Sequence, residues 1–64
     1  MRIIMPDRTI RTCSGNPVTV EQVLTELGIN PLEVMVTRSG KLLPETAPVD
    51  ENDEIRIIMV SHGG

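Results

Sequence analysis

The chain has 64 residues, 39% of them hydrophobic and 23% charged, a formal net charge of -3, and no Phe, Tyr or Trp. A chain this short forms a single domain that buries roughly 60% of its unfolded surface, which leaves little room for a deep catalytic cleft. The acidic balance argues against clamping of phosphates by clustered Lys and Arg, and the missing aromatic rings remove the stacking platforms of single-strand binders. Direct binding of nucleic acid is therefore not expected.

The first apolar stretch, Ile3-Ile4-Met5, stops at Pro6 and is too short for a secretory or membrane-spanning segment, so a cytoplasmic location with no membrane partner is expected. Arg2 to Met5 and Thr9 to Cys13 read as the strands of a hairpin around Pro6-Asp7-Arg8. Ser14-Gly15-Asn16-Pro17 reads as a loop. Thr19 then opens the clearest local signal: its hydroxyl can accept from the Gln22 N–H while the Gln22 side chain reaches back, the reciprocal pattern of a capping box. Val20, Val23, Leu24 and Leu27 follow as one apolar helical stripe, Gly28 suits a left-handed residue just past the helix end, and Pro31 prevents its resumption.

A strand is predicted from Glu33 to Arg38, with Val34 and Val36 on one side and Met35 and Thr37 on the other. Ser39-Gly40-Lys41 turns it into a short strand at Leu42-Leu43. The stretch from Pro44 through Asn52 reads as irregular, with Pro48 opposing any long element. Glu54 to Val60 is the last strand, in which Ile55, Ile57 and Met59 alternate with Glu54, Arg56, Ile58 and Val60.

The expected fold is α+β, a mixed four- to five-stranded sheet with one main helix packed on one face. Residues 1–60 form the domain and 61–64 a flexible tail. Periodicity favours a β-grasp order, with the first and last strands adjacent and parallel, but does not fix it, and another α+β order stays open. With one helix, one sheet face stays open. If Val34, Val36, Ile55, Ile57 and Met59 face the helix, then Ile4, Met35, Thr37, Ile58 and Val60 lie on the open face, rimmed by Arg2, Glu54 and Arg56. Exposed apolar clusters of this kind mark interaction sites, and Ile58, Val60, Met35 and Ile4 are the candidate docking residues.

The remaining chemistry-bearing residues are few. Cys13 is the only cysteine and reads as a small buried hydrophobe rather than a reactive thiol. One His and one Cys cannot build a four-ligand zinc site within the chain, and no metal is expected. Asp50, Glu51, Asp53 and Glu54 read as a solvated turn or an attraction for a basic partner. No nucleophile–base pair is present, so no catalytic residue is assigned. There is also no Gly-rich phosphate loop, so no cofactor is expected to be bound and any use of ATP belongs to a partner.

From Val18 to Gly64 the chain resembles the small ubiquitin-like sulfur carriers: the thiamine carrier ThiS, the molybdopterin carrier MoaD, the ubiquitin-related modifier and the small archaeal modifier proteins. The pieces that carry the resemblance are Val18-Thr19-Val20 leading to Leu24 and Leu27, the run Val34 to Pro44, Val49 to Asp53 with Ile55, and Gly63-Gly64. Within that group Ser39-Gly40 stands where many thiamine carriers have Asn-Gly, and Met59 to His62 lacks the Pro often found near the end of molybdopterin carriers. The span Asn30 to Val34 through Pro44-Glu45 looks most like the archaeal and ubiquitin-related modifiers.

The resemblance implies a β-grasp fold and a protein that is the substrate of an adenylating, E1-like enzyme rather than an enzyme itself. An α-carboxylate is ionised at neutral pH and a poor electrophile. The family's solution is adenylation of the Gly64 carboxylate followed by conversion to a thiocarboxylate. That product serves sulfur transfer to thiamine, molybdopterin or tRNA, through a sulfur donor or acceptor enzyme. Gly63 and His62 are the expected tail-recognition residues: Gly63, like Gly64, suits a narrow channel because it has no Cβ, and His62 beside them can steer the tail by hydrogen bonding. A protein modifier forming isopeptides through Gly64 is the alternative within the fold, with Lys41, the only lysine, as the one possible acceptor for self-conjugation. A passive β-grasp interaction module is the alternative of another class. The free protein is expected to be a monomer.

Overall fold

The computed structural model describes residues 1–13 and 18–60. In chain order the elements are β1 (Arg2–Ile4), β2 (Ile10–Thr12), β3 (Val18–Thr19), α1 (Val20–Glu26), a 3-10 turn (Pro31–Glu33), β4 (Val34–Arg38), β5 (Lys41–Leu43), β6 (Pro48–Val49) and β7 (Glu54–Met59). The main sheet has five strands in the order β2-β1-β7-β4-β5, with β1 and β7 parallel and the other pairs antiparallel. This is a β-grasp, and its strand order is the one that periodicity left open. The expected loop at 14–17 and the tail at 61–64 lie outside the described residues.

The start of α1 holds by the chemistry read from sequence. Gln22 N donates to Thr19 Oγ1 at 3.3 Å and Thr19 N donates to Gln22 Oε1 at 3.4 Å. The two preceding N–H groups of the first turn, on Val20 and Glu21, donate to the carbonyls of Ala47 and Glu45. The segment 44–47 therefore satisfies donors that the helix itself cannot. At the other end Ile29 N bonds Leu24 O and Gly28 N bonds Thr25 O, with Gly28 at φ +75°. This is the Schellman arrangement, in which a glycine takes the left-handed position at no steric cost.

The core forms where α1 crosses the sheet. Val20, Val23 and Leu24 meet Ile3, Val34, Val36, Ile55 and Ile57, and Val49 of β6 closes one end. Three expectations need correction here. The stretch 44–52 is not wholly irregular, because β6 pairs with β3 through Val18↔Val49 and Thr19↔Pro48, and Val49 is buried in the core. Pro48 is tolerated at the start of so short a strand. Met59 is 49% exposed rather than under the helix. Met59 lies at the far end of β7, where β1 no longer flanks the strand because their pairing ends at Ile4↔Arg56, so its side is open although Val34 opposite it is buried. The last strand also ends at Met59, although the Val60 N–H still donates to Glu33 O at 3.0 Å.

Two turns hold non-glycine residues in the left-handed region. Ser39 (φ +53°) and Gly40 (φ +79°) form the two-residue connection between Arg38 and Lys41. Both φ values are positive, as in a type I′ hairpin, for which Asn-Gly is the favoured pair. Ser39→Asn is accordingly expected to stabilise the protein by about 0.5 kcal/mol, raising the melting temperature by roughly 2–4 °C. Calorimetry checks this, and an unchanged or lower midpoint contradicts the turn assignment. The second case is Arg8 (φ +72°), which closes the β1–β2 turn. A left-handed conformation costs an ordinary L-residue about 1–2 kcal/mol.

Candidate functional site: the open sheet face and the start of the tail

Opposite α1 the main sheet has no covering element among the described residues. Strand register places the side chains of that face in rows. Ile10, Ile4, Arg56, Thr37 and Leu42 are successive cross-strand partners from β2 through β1, β7 and β4 to β5. Met35 and Ile58 pair directly in the next row, and Val60 follows beside Glu33. Met35, Ile58 and Val60 are exposed and Ile4 is half-buried, so the four candidate docking residues are brought to one face.

Three features of this face were not read from the sequence. Ile10 (53% exposed) and Leu42 (62% exposed) extend the apolar surface to both edge strands. Their place follows from hairpin register: Ile10 is opposite Ile4 and Leu42 opposite Thr37, and a one-residue slip would put both on the other side. Arg56, expected at the rim, instead stands between Ile4 and Thr37 in the middle of the row. At the opposite end Arg2 and Glu54 form an exposed ion pair at 3.3 Å, which caps the patch with polar groups.

The acidic segment at 50–54 proves largely structural. Asp53 Oδ2 accepts from Arg38 Nη1 at 3.0 Å and from Asp50 N at 2.9 Å, and Asp50 Oδ1 accepts from Asn52 N at 2.8 Å. These bonds hold the turn that delivers the chain into β7. Asp7, in the β1–β2 turn, accepts from both Thr9 Oγ1 at 2.6 Å and Thr9 N at 3.0 Å. The hydroxyl contact, followed by the amide contact, holds its carboxyl below the usual aspartate range.

Cys13, expected to be buried, is only partly so at the rim of the core just past the end of β2, and Lys41 is exposed at the start of β5. No cluster of three or more metal-ligating side chains occurs among the described residues. No helix among them is long and apolar enough to cross a membrane. His62, Gly63 and Gly64 lie outside the described residues; in sequence they come soon after Met59, where β7 ends, and Val60, the last described residue.

The ThiS family model matches residues 8–64, which takes in every element from β2 to β7, the helix included, and the Gly63-Gly64 ending. The chain belongs to the ThiS family. No curated protein matches it. Membership agrees with the β-grasp topology and makes this ThiS-family chain a ubiquitin-like sulfur carrier at the level of the family, whose members are small carriers rather than enzymes. Interaction with adenylating and sulfur-transfer enzymes belongs to the family in general.

Proposed function

We propose that this ThiS-family protein carries sulfur on Gly64. The observation that carries the reading is the family match through residue 64, on a chain whose last strand leads from an uncovered apolar face into Ser61-His62-Gly63-Gly64. A separate E1-like enzyme supplies ATP. The Gly64 carboxylate oxygen attacks the α-phosphorus, pyrophosphate leaves, and an acyl-adenylate remains. Hydrosulfide released by a donor enzyme then attacks the acyl carbon, AMP leaves with the electron pair of the acyl–oxygen bond, and loss of the S–H proton leaves a thiocarboxylate for an acceptor in thiamine, molybdopterin or tRNA thiolation.

The chain's own residues dock and present. Ile58, Val60, Met35 and Ile4 bury apolar area against the activating enzyme, at about 25 cal/mol per Å² removed from water. Gly63 and His62 are the tail segment the enzyme reads, and the absence of Cβ at Gly63 suits a narrow channel. The reaction takes place in the cytoplasm, with the free carrier a monomer and no cofactor of its own. Intact and C-terminal peptide mass spectrometry on protein from its native cytosol tests the reading. Exchange of one terminal oxygen for sulfur is the expected result. A lysine remnant on Gly64 would instead make the protein a modifier, and an unmodified carboxylate under sulfur demand would leave only an interaction module.

A further inference from the structure

Between the β1–β2 turn and the second half of β7 lies an open notch. β1 pairs with β7 only as far as Ile4↔Arg56, so Ile57–Met59 continue without a strand neighbour on that side, and the chain of β1 turns away at Pro6. The notch is lined by Ile4, Ile10, Ile58 and Met59 together with two guanidinium groups, Arg8 from the turn and Arg56 from β7. No Asp or Glu lines it, although the chain has nine acidic residues against six Lys and Arg. The nearest carboxylate in the turn, Asp7, is engaged by the amide and hydroxyl of Thr9. Among the described residues the ion pairs are Arg2–Glu54 and Arg38–Asp53, and neither involves Arg8 or Arg56.

Arg8 sits where its backbone is least at ease. Arg8 N bonds Met5 O at 2.9 Å and Met5 N bonds Thr9 O at 2.8 Å, a turn that places residue 8 at φ +72°. Glycine serves that position without strain. A strained arginine there keeps a cation in the lining of the notch, and retained backbone strain of this kind points towards a use.

We propose that this notch recognises a carboxylate side chain of the adenylating enzyme, with Arg8 and Arg56 receiving an Asp or Glu set within an apolar loop of that partner. The assignment rests on the carrier reading above and names the chemistry of its docking partner. Charge complementarity favours it: two guanidiniums on an otherwise acidic molecule attract an acidic group, and each can donate charge-assisted hydrogen bonds to a carboxylate. The notch adjoins β7 just before the tail, so engagement there fixes the direction in which the tail enters the enzyme.

The test uses the full-length protein and the adenylating enzyme of the same organism, with affinity read by titration calorimetry and turnover by ATP–pyrophosphate exchange. Arg8→Gly relieves the left-handed strain, so its melting temperature is expected to be equal or higher while Kd and KM rise about tenfold at low salt. Arg8→Gly combined with Arg56→Gln is expected to raise both further and to flatten the dependence of Kd on salt. Wild-type affinity and salt dependence in both variants would overturn the carboxylate site. If Ile58→Asp still weakened binding in that case, the apolar docking face and the carrier reading would survive. Binding by the wild type without any Gly64 adenylate would sink the carrier reading while leaving the notch to be judged by Kd. No binding by the wild type would overturn both.

Discussion

Deleting Gly64 is expected to reduce adenylation, measured as kcat/KM in ATP–pyrophosphate exchange, by on the order of a thousandfold or more, a loss of roughly 4 kcal/mol in transition-state stabilisation. The remaining carboxylate, on Gly63, would sit about 3.5 Å short along an extended tail. A misplacement of even about 1 Å at a reacting atom can cost a hundredfold. The melting temperature should not move, because the buried core closes with Ile57 and the last ladder contact described is made by Val60. Binding of the deleted form to the enzyme should fall far less than turnover, since the docking face is intact. Near-wild-type exchange by the deleted form would show that the reacting group is not the Gly64 carboxylate.

Ile55→Ala is expected to leave the protein largely unfolded at 25 °C. Ile55 is 1% exposed and pairs with the fully buried Ile3 across the parallel β1–β7 ladder that joins the two halves of the sheet. Truncating a buried isoleucine costs about 2–5 kcal/mol, and a core in a chain of this size supplies no more than about 3–5 kcal/mol. No disulfide relieves the shortfall, because Cys13 is the only cysteine. Ile58→Ala, on the open face, is the contrast: its cost is expected to stay below about 1 kcal/mol. Urea titration followed by circular dichroism separates the two. Comparable midpoints for both variants would mean that Ile55 does not anchor the core as its burial indicates.

The family and the β-grasp were legible because the pieces that carry them are local or consecutive. The capping pair Thr19–Gln22, the stripe Val20-Val23-Leu24 and the stop at Gly28 all interact within a few residues along the chain. Alternation in Val34-Val36 and Ile55-Ile57 identified the buried face of both central strands. It failed at Met59 because alternation says which side a residue faces and nothing about where the neighbouring strand β1 stops. β6 was missed for a related reason: two residues ending at Val49 carry no period, and their partner, β3, is about thirty residues away in sequence.

By itself, then, the sequence determined the class of the domain, its helix, its central strands and the apolar positions that divide into two faces, since propensity, capping and periodicity act over a few residues. Only the tertiary structure decided that Arg56 stands within the apolar row rather than at its rim, that Ile10 and Leu42 widen the face, and that Arg8 and Arg56 line one notch. Those placements come from the register of β1 on β7 and from where β1 stops. Register between strands some fifty residues apart is fixed by the joint packing of Ile3 and Ile55 beneath α1, a contact that no local pattern encodes.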